Sequence, residues 1–146
     1  MQTFMTHADP AVCAQHLDRN RLNKQITEAL QIIRANLDPN YGWRNHPAVR
    51  QWQGHEHYLA EYTLAMIDEW QARGFDSHHG SKYHAINFAA TLPDTGPPQW
   101  WGRPDIITSH QSNLVRKNPD HYWPLFPLVP EDLDYIWPTK ESQWSS

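Results

Sequence analysis

Two proline-bearing turns, Asp9-Pro10 and Asp38-Pro39-Asn40, frame a stretch in which apolar residues return every three or four positions. Leu22, Ile26, Leu30, Ile33 and Leu37 share one face of a helix, whereas a strand would split them between two faces. This pattern commits the first quarter of the chain to helix. Asp9 fits as an N-cap with Pro10 at the first helical position. Asn20 marks an expected break between a short first helix and a longer second one, and Pro39 prevents continuation. A further helix is predicted from Pro47 to about Arg73. Its apolar side is Val49, Trp52, Leu59, Tyr62, Met66 and Trp70, with a bend at Gly54 and a stop at Gly74. Residues Phe75 to Gly102 read as a long loop with one short helix near Ser81 to Phe88. A last helix is predicted from Pro104 to Lys117, followed by a Pro- and Trp-rich tail from Asp120. The expected fold is therefore all-α: a compact single-domain helical bundle over 1–146, with long irregular connections and an extended C-terminal tail.

Composition narrows the function classes. With 8 Trp and 6 Tyr, the core should be rich in aromatic rings whose N–H and O–H groups need partners. The single cysteine, Cys13, excludes an intrachain disulfide and a cysteine-based zinc site. No apolar run approaches the ~20 residues of a membrane helix. Met1 to Pro10 lacks the basic and apolar regions of a signal peptide, so a cytoplasmic location is expected; the protein is also expected to be a monomer. The formal charge is −4. From Asn118 onwards, Asp120, Glu131, Asp132, Asp134 and Glu141 face one base, Lys140, so that tail carries the whole −4 and residues 1–117 are neutral. A neutral body can hold a basic face, but a modest one. Any binding to nucleic acid should be weak and strongly salt-dependent.

Three polar groups can carry chemistry. Arg21, Lys24, Gln25 and Glu28 fall in one narrow sector of the second helix, opposite its apolar face. One reading is a solvated face with an ion pair worth about 0.3–0.5 kcal/mol. The other is a cationic surface for phosphate, with a carboxylate placed for proton transfer and an amine able to act as nucleophile. The second group is Gly42-Trp43-Arg44-Asn45-His46-Pro47, a helix entrance whose guanidinium, amide and imidazole suit a phosphate or a base edge, or else simply cap a turn. The third is Ser109-His110-Gln111-Ser112-Asn113-Leu114-Val115-Arg116-Lys117. Arg116 and Lys117 there also suit the helix dipole. Ten histidines raise the question of a metal. His55 and His57 are two apart on a helix, which turns them about 200° from each other. No metal site and no cofactor are expected.

These segments, together with Leu17-Asp18-Arg19-Asn20-Arg21-Leu22-Asn23-Lys24-Gln25-Ile26-Thr27-Glu28, Asp68-Glu69-Trp70 and Asn118-Pro119-Asp120-His121-Tyr122, resemble a bacterial and phage branch of the pyrimidine-dimer DNA glycosylases, also called endonuclease V-like. The resemblance extends to Pro138. It implies a compact all-helical enzyme acting on double-stranded DNA at a pyrimidine dimer or a related modified base. An amine attacks the deoxyribose C1′ to form a Schiff base, a glutamate handles protons, and β-elimination nicks the strand. His16 and Arg21 match the family's histidine and early-helix arginine. Arg19, Arg21, Gln25, Trp43, Arg44, Asn45, His46, His110, Arg116 and Lys117 join His16 as expected DNA contacts. Two departures stand out. The family's amine belongs to a small residue exposed by methionine removal, but Gln2 follows Met1 here, and a residue that large blocks removal. The family's glutamate directly follows the arginine, but Leu22 occupies that position and the nearest glutamate is Glu28. The expected catalytic set is thus Met1, Lys24 and Glu28, with either the Met1 amine or Lys24 as nucleophile. A non-catalytic nucleic-acid-binding module, or an enzyme acting on a small nucleotide or modified base, would use the same face.

Overall fold

A computed structural model of the chain describes residues 1–42, 44–75 and 83–138. Among them are seven helices and no strand: α1 (Pro10–His16), α2 (Arg19–Leu37), α3 (Pro47–Arg50), α4 (Glu56–Ala72), α5 (Tyr83–Thr91), α6 (Pro104–Lys117) and α7 (Pro119–Tyr122). The all-α expectation holds, and the chain is compact.

Local chemistry sets the boundaries. The Asp9 carboxylate accepts from Ala11 N and caps α1, with Pro10 at its first position. The break before α2 falls at Leu17-Asp18, two residues earlier than Asn20, where both residues adopt extended backbone. The helix predicted from Pro47 to Arg73 is two helices, α3 and α4. Gly54 sits at φ +84°, a left-handed conformation that ends helical winding, so it breaks the helix rather than bending it. Gly74, at φ +89°, terminates α4 as expected. α5 extends to Thr91, three residues beyond the expected short helix, whose start at Ser81 lies outside the described residues. α6 matches the expected Pro104–Lys117.

The tail departs from expectation at its start. α7 occupies Pro119–Tyr122, capped by the Asn118 side chain, before irregular chain follows. Residues 130–138 have no regular structure. They are held to α6 by side chains: Ser112 Oγ accepts from Leu133 N (3.0 Å), Ser109 Oγ from Ile136 N (3.3 Å), and Asn113 Nδ2 donates to Leu133 O (3.1 Å).

α4 packs against α1, α2 and α5, which puts it at the centre of the bundle. The expected aromatic core is present. Trp52, Tyr62, Trp100, Trp101 and Tyr58 meet ring to ring in edge-on, tilted and stacked arrangements. Their indole N–H groups are satisfied: Trp52 donates to Thr3 Oγ1 (2.9 Å), Trp100 to Gln51 O (2.9 Å) and Trp101 to Ala8 O (2.7 Å).

Candidate active site

The site is built on a feature that periodicity does not reveal. Residues 2–6 form a buried segment without helix or strand, so their backbone groups need partners from elsewhere. Side chains supply them. Gln25 Oε1 accepts from Phe4 N (2.8 Å) while Gln25 Nε2 donates to Gln2 O (2.6 Å). Tyr62 donates its hydroxyl to Phe4 O (2.8 Å), His110 Nδ1 accepts from Met5 N (2.8 Å), and Gln111 Nε2 donates to Thr6 O (3.0 Å). Burial of the Tyr62 hydroxyl pushes its pKa well up, so it remains a donor. Burial pushes the His110 imidazole down to about 3, so it stays neutral and keeps the lone pair that Met5 N requires.

This clamp delivers Met1 to the wall of a cavity of about 330 Å³. Met1, Gln2 and Phe4 form one side, and Asn20, Arg21, Lys24 and Glu28 of α2 form another. Lys117, from the end of α6, and Tyr135, from the tail, complete the lining. Glu28 is central. Its Oε2 lies 3.4 Å from both Gln2 N and Gln25 Nε2, and its Oε1 lies 3.9 Å from Lys24 Nζ. The Glu28 side chain is 16% exposed and that of Lys24 73%, so the carboxylate is inside and the ammonium at the mouth. Arg21 pairs with Asp18 at 3.3 Å. Burial pushes the Asp18 carboxyl up, but a hydrogen bond from Tyr122 and the charge of Arg21 outweigh it and hold it below its ordinary value. Lys117 Nζ lies 5.6 Å from the centre of the Phe4 ring and 3.3 Å from the Tyr135 hydroxyl. Burial, then the charges of Arg21 and Lys24, lower its pKa. Three side-chain cations and one carboxylate line this cavity, an arrangement that can attract an anionic ligand and offers a carboxylate for proton transfer.

Of the residues expected to be catalytic or to contact DNA, Met1, Arg21, Lys24, Glu28 and Lys117 line this one cavity. Others do not. Gln25 and His110 were expected to contact DNA. Both are buried in the clamp, Gln25 at 1% and His110 at 2% exposure, with their polar groups turned to the N-terminal segment. His16 bonds Thr6 Oγ1 at 2.8 Å and packs edge-on against Phe126, away from the cavity lining. Arg19 lies over the Phe75 ring at 5.0 Å. Arg44 donates to Pro39 O (2.9 Å), and Asn45 is exposed without lining the cavity. His46 caps α3 by accepting from Ala48 N, and its imidazole is held below its ordinary value by burial first and then by the N-terminal amine. The turn therefore approaches the cavity through His46, while Arg44 points elsewhere. Arg116 binds the tail, donating to Glu131 O (2.7 Å) and to Asn113 Oδ1. Trp43 lies outside the described residues.

Sequence reasoning missed Asn20, Phe4, Gln2 and Tyr135. Asn20 was detectable, being four residues before Lys24 on the same face. The other three come from segments without periodicity.

Residues 1–83 match the family model described as pyrimidine dimer DNA glycosylase, which is more than half of the chain. The chain belongs to the pyrimidine dimer DNA glycosylase family. The match includes α1 to α4, and with them Met1, Arg21, Lys24 and Glu28, but ends before the cavity residues Lys117 and Tyr135. No curated protein and no solved structure matches the chain. Membership of this family makes DNA the substrate class and base-lesion repair the coarse function. No helix among the described residues is long and apolar enough to cross a membrane.

Proposed function

We propose that the protein is a DNA glycosylase with AP lyase activity, acting on pyrimidine dimers or a related modified base in double-stranded DNA. The observation that carries this reading is the adjacency of Met1 and Glu28 in one cavity, with Gln2 N 3.4 Å from Glu28 Oε2. The α-amine of Met1 attacks C1′ of the damaged nucleotide, and the bond from C1′ to the base breaks. Loss of the amine proton to Glu28 and opening of the sugar ring leave an imine. Removal of a C2′ proton then expels the 3′ phosphate by β-elimination, which nicks the strand. Arg21, Lys24 and Lys117 hold phosphates at the cavity mouth. Gln2 is buried beneath Glu28 and keeps Met1 in place, which accommodates the large second residue. A purely binding role leaves Glu28 unexplained, because a carboxylate opposes phosphate where the surface should grip it.

Borohydride trapping on dimer-containing and abasic duplexes, followed by peptide mapping, tests this reading. The expected result is a covalent adduct on the Met1 peptide, lost in Glu28→Gln. An adduct on Lys24 would move the nucleophile, and absence of both trapping and nicking would overturn the lyase assignment.

A further inference from the structure

A second cluster shares no residue with the cavity. His57 and Glu61 stand one turn apart on α4, and Asp94 faces them from the chain between α5 and α6. His57 Nε2 is 3.3 Å from Glu61 Oε1 and 3.8 Å from Asp94 Oδ2. One donor atom from each residue fits within a 4.8 Å span. We propose that His57, Glu61 and Asp94 form a binding site for a divalent transition-metal ion of the zinc type, which fastens the Leu92–Gly96 chain to α4.

Four observations support this assignment. First, His57 Nδ1 lies 3.1 Å from Leu92 O. A carbonyl can only accept, so Nδ1 carries the proton, and in the neutral ring the Nε2 lone pair points at two carboxylates. Such a backbone acceptor behind the imidazole is the usual support of a metal-bound histidine. Lone pair against carboxylate is repulsive unless a proton or a metal cation lies between them. Second, the spacing suits an ion. Two donors each about 2.0–2.1 Å from a tetrahedral zinc lie about 3.3 Å from one another. The His57–Glu61 separation of 3.3 Å meets this, and the exposed Asp94 carboxylate, at 3.8 Å from Nε2, has about 0.5 Å to close. Third, Asp94 is prepared for the role. Its Oδ1 accepts from Gly96 N (2.9 Å), leaving Oδ2 towards His57. Fourth, the chain that carries it is stitched down by Thr95 Oγ1 donating to Gly54 O (2.8 Å) and by the His55 ring against Gly96 O (3.1 Å). One nitrogen and two carboxylates favour zinc-type ions over magnesium or calcium, which prefer oxygen alone. His55 is not part of the cluster: the partners of His57 are one turn along the helix and across a loop.

The test is calorimetric titration of the full chain with Zn²⁺ at pH 7.5, with thermal melting in parallel. The expected result is saturable binding with a single-site component that is at least tenfold weaker in both Asp94→Asn and Glu61→Gln, while excess Mg²⁺ does not compete. Both carboxylates are exposed, so these neutral isosteres should melt like the wild type without metal, and the Zn²⁺-induced rise in Tm should disappear in each. Absence of saturable binding would reduce the cluster to a His57 ion pair and overturn the site. Binding unchanged by both variants would place the metal on other histidines and overturn it equally.

Discussion

Neighbouring residues on the polar side of α2 meet opposite fates. Gln25 is buried and its amide is matched at both ends by backbone groups of residues 2 and 4. Lys24, one position earlier, is 73% exposed and reaches towards Glu28. Charge explains the difference. A neutral amide can leave water when every hydrogen bond is replaced, whereas an ammonium in the same place would need a paired anion and would still be destabilising. The buried half of the stripe therefore does mechanical work, holding the N-terminal segment. The charged half lines the cavity where ligand chemistry is possible. Glu28 belongs to both regions, with one oxygen towards Gln2 and Gln25 and the other towards Lys24.

The largest expected effect comes from that shared residue. Glu28→Gln keeps an acceptor for Gln2 N and a similar volume, so the fold and DNA binding should persist. Strand nicking and imine trapping should fall by about 10²–10⁴-fold, the usual contribution of a positioned proton-transfer group. Single-turnover nicking of dimer-containing duplex measures this. A loss below tenfold would move proton transfer away from Glu28.

Next is the clamp. Gln25→Ala leaves Phe4 N and Gln2 O buried without their partners, which should destabilise the protein by about 3 kcal/mol in chemical denaturation. Trapping should fall as well, because the Met1 amine is no longer held. Undiminished stability would show that the N-terminal segment is not clamped in solution.

The clamp should also register pH. His110 titrates near 3 when folded and near its ordinary 6.5 when unfolded, with burial as the cause. Below pH 6.5 the unfolded chain binds a proton that the folded chain excludes, so stability is complete above that value and is lost as pH falls towards 3. Between pH 7 and pH 5 the expected loss is about 2 kcal/mol by denaturant titration. His16 and His46, also lowered by burial, act in the same direction. A stability that stays flat over this interval would mean that His110 is solvated.

Much of the architecture was legible because α2, α4 and α6 present apolar faces at helical spacing and end at Pro or Gly. The break between α3 and α4 was not, because Val49, Trp52 and Leu59 continue an apolar side across Gly54, and only its positive φ reveals the interruption. Half of the cavity was legible from one helix: Arg21, Lys24 and Glu28 share a sector whatever surrounds them. The other half comes from residues remote in sequence: Lys117 was expected as a DNA contact, but Tyr135 and Phe4 beside it have no local spacing to reveal them. Polar residues misled in one direction. Gln25 and His110 looked like ligand contacts because polar side chains are usually solvated, and their actual partners are backbone groups 21 and 105 residues away.

The smallest effect isolates the charged half of the stripe. Lys24 sits at the mouth, 3.9 Å from Glu28 Oε1, and exposed helix pairs of this kind contribute about 0.3–0.5 kcal/mol. Lys24→Gln should thus leave stability nearly unchanged, in contrast to Gln25→Ala one residue away. If Met1 supplies the nucleophile, trapping should survive in full. Lys24 would then act on phosphate alone, and its removal should make the slope of log K against log salt for DNA binding shallower by about 0.9. Loss of trapping with an unchanged salt slope would reverse the two roles, assigning the imine to Lys24 and leaving Met1 as part of the wall.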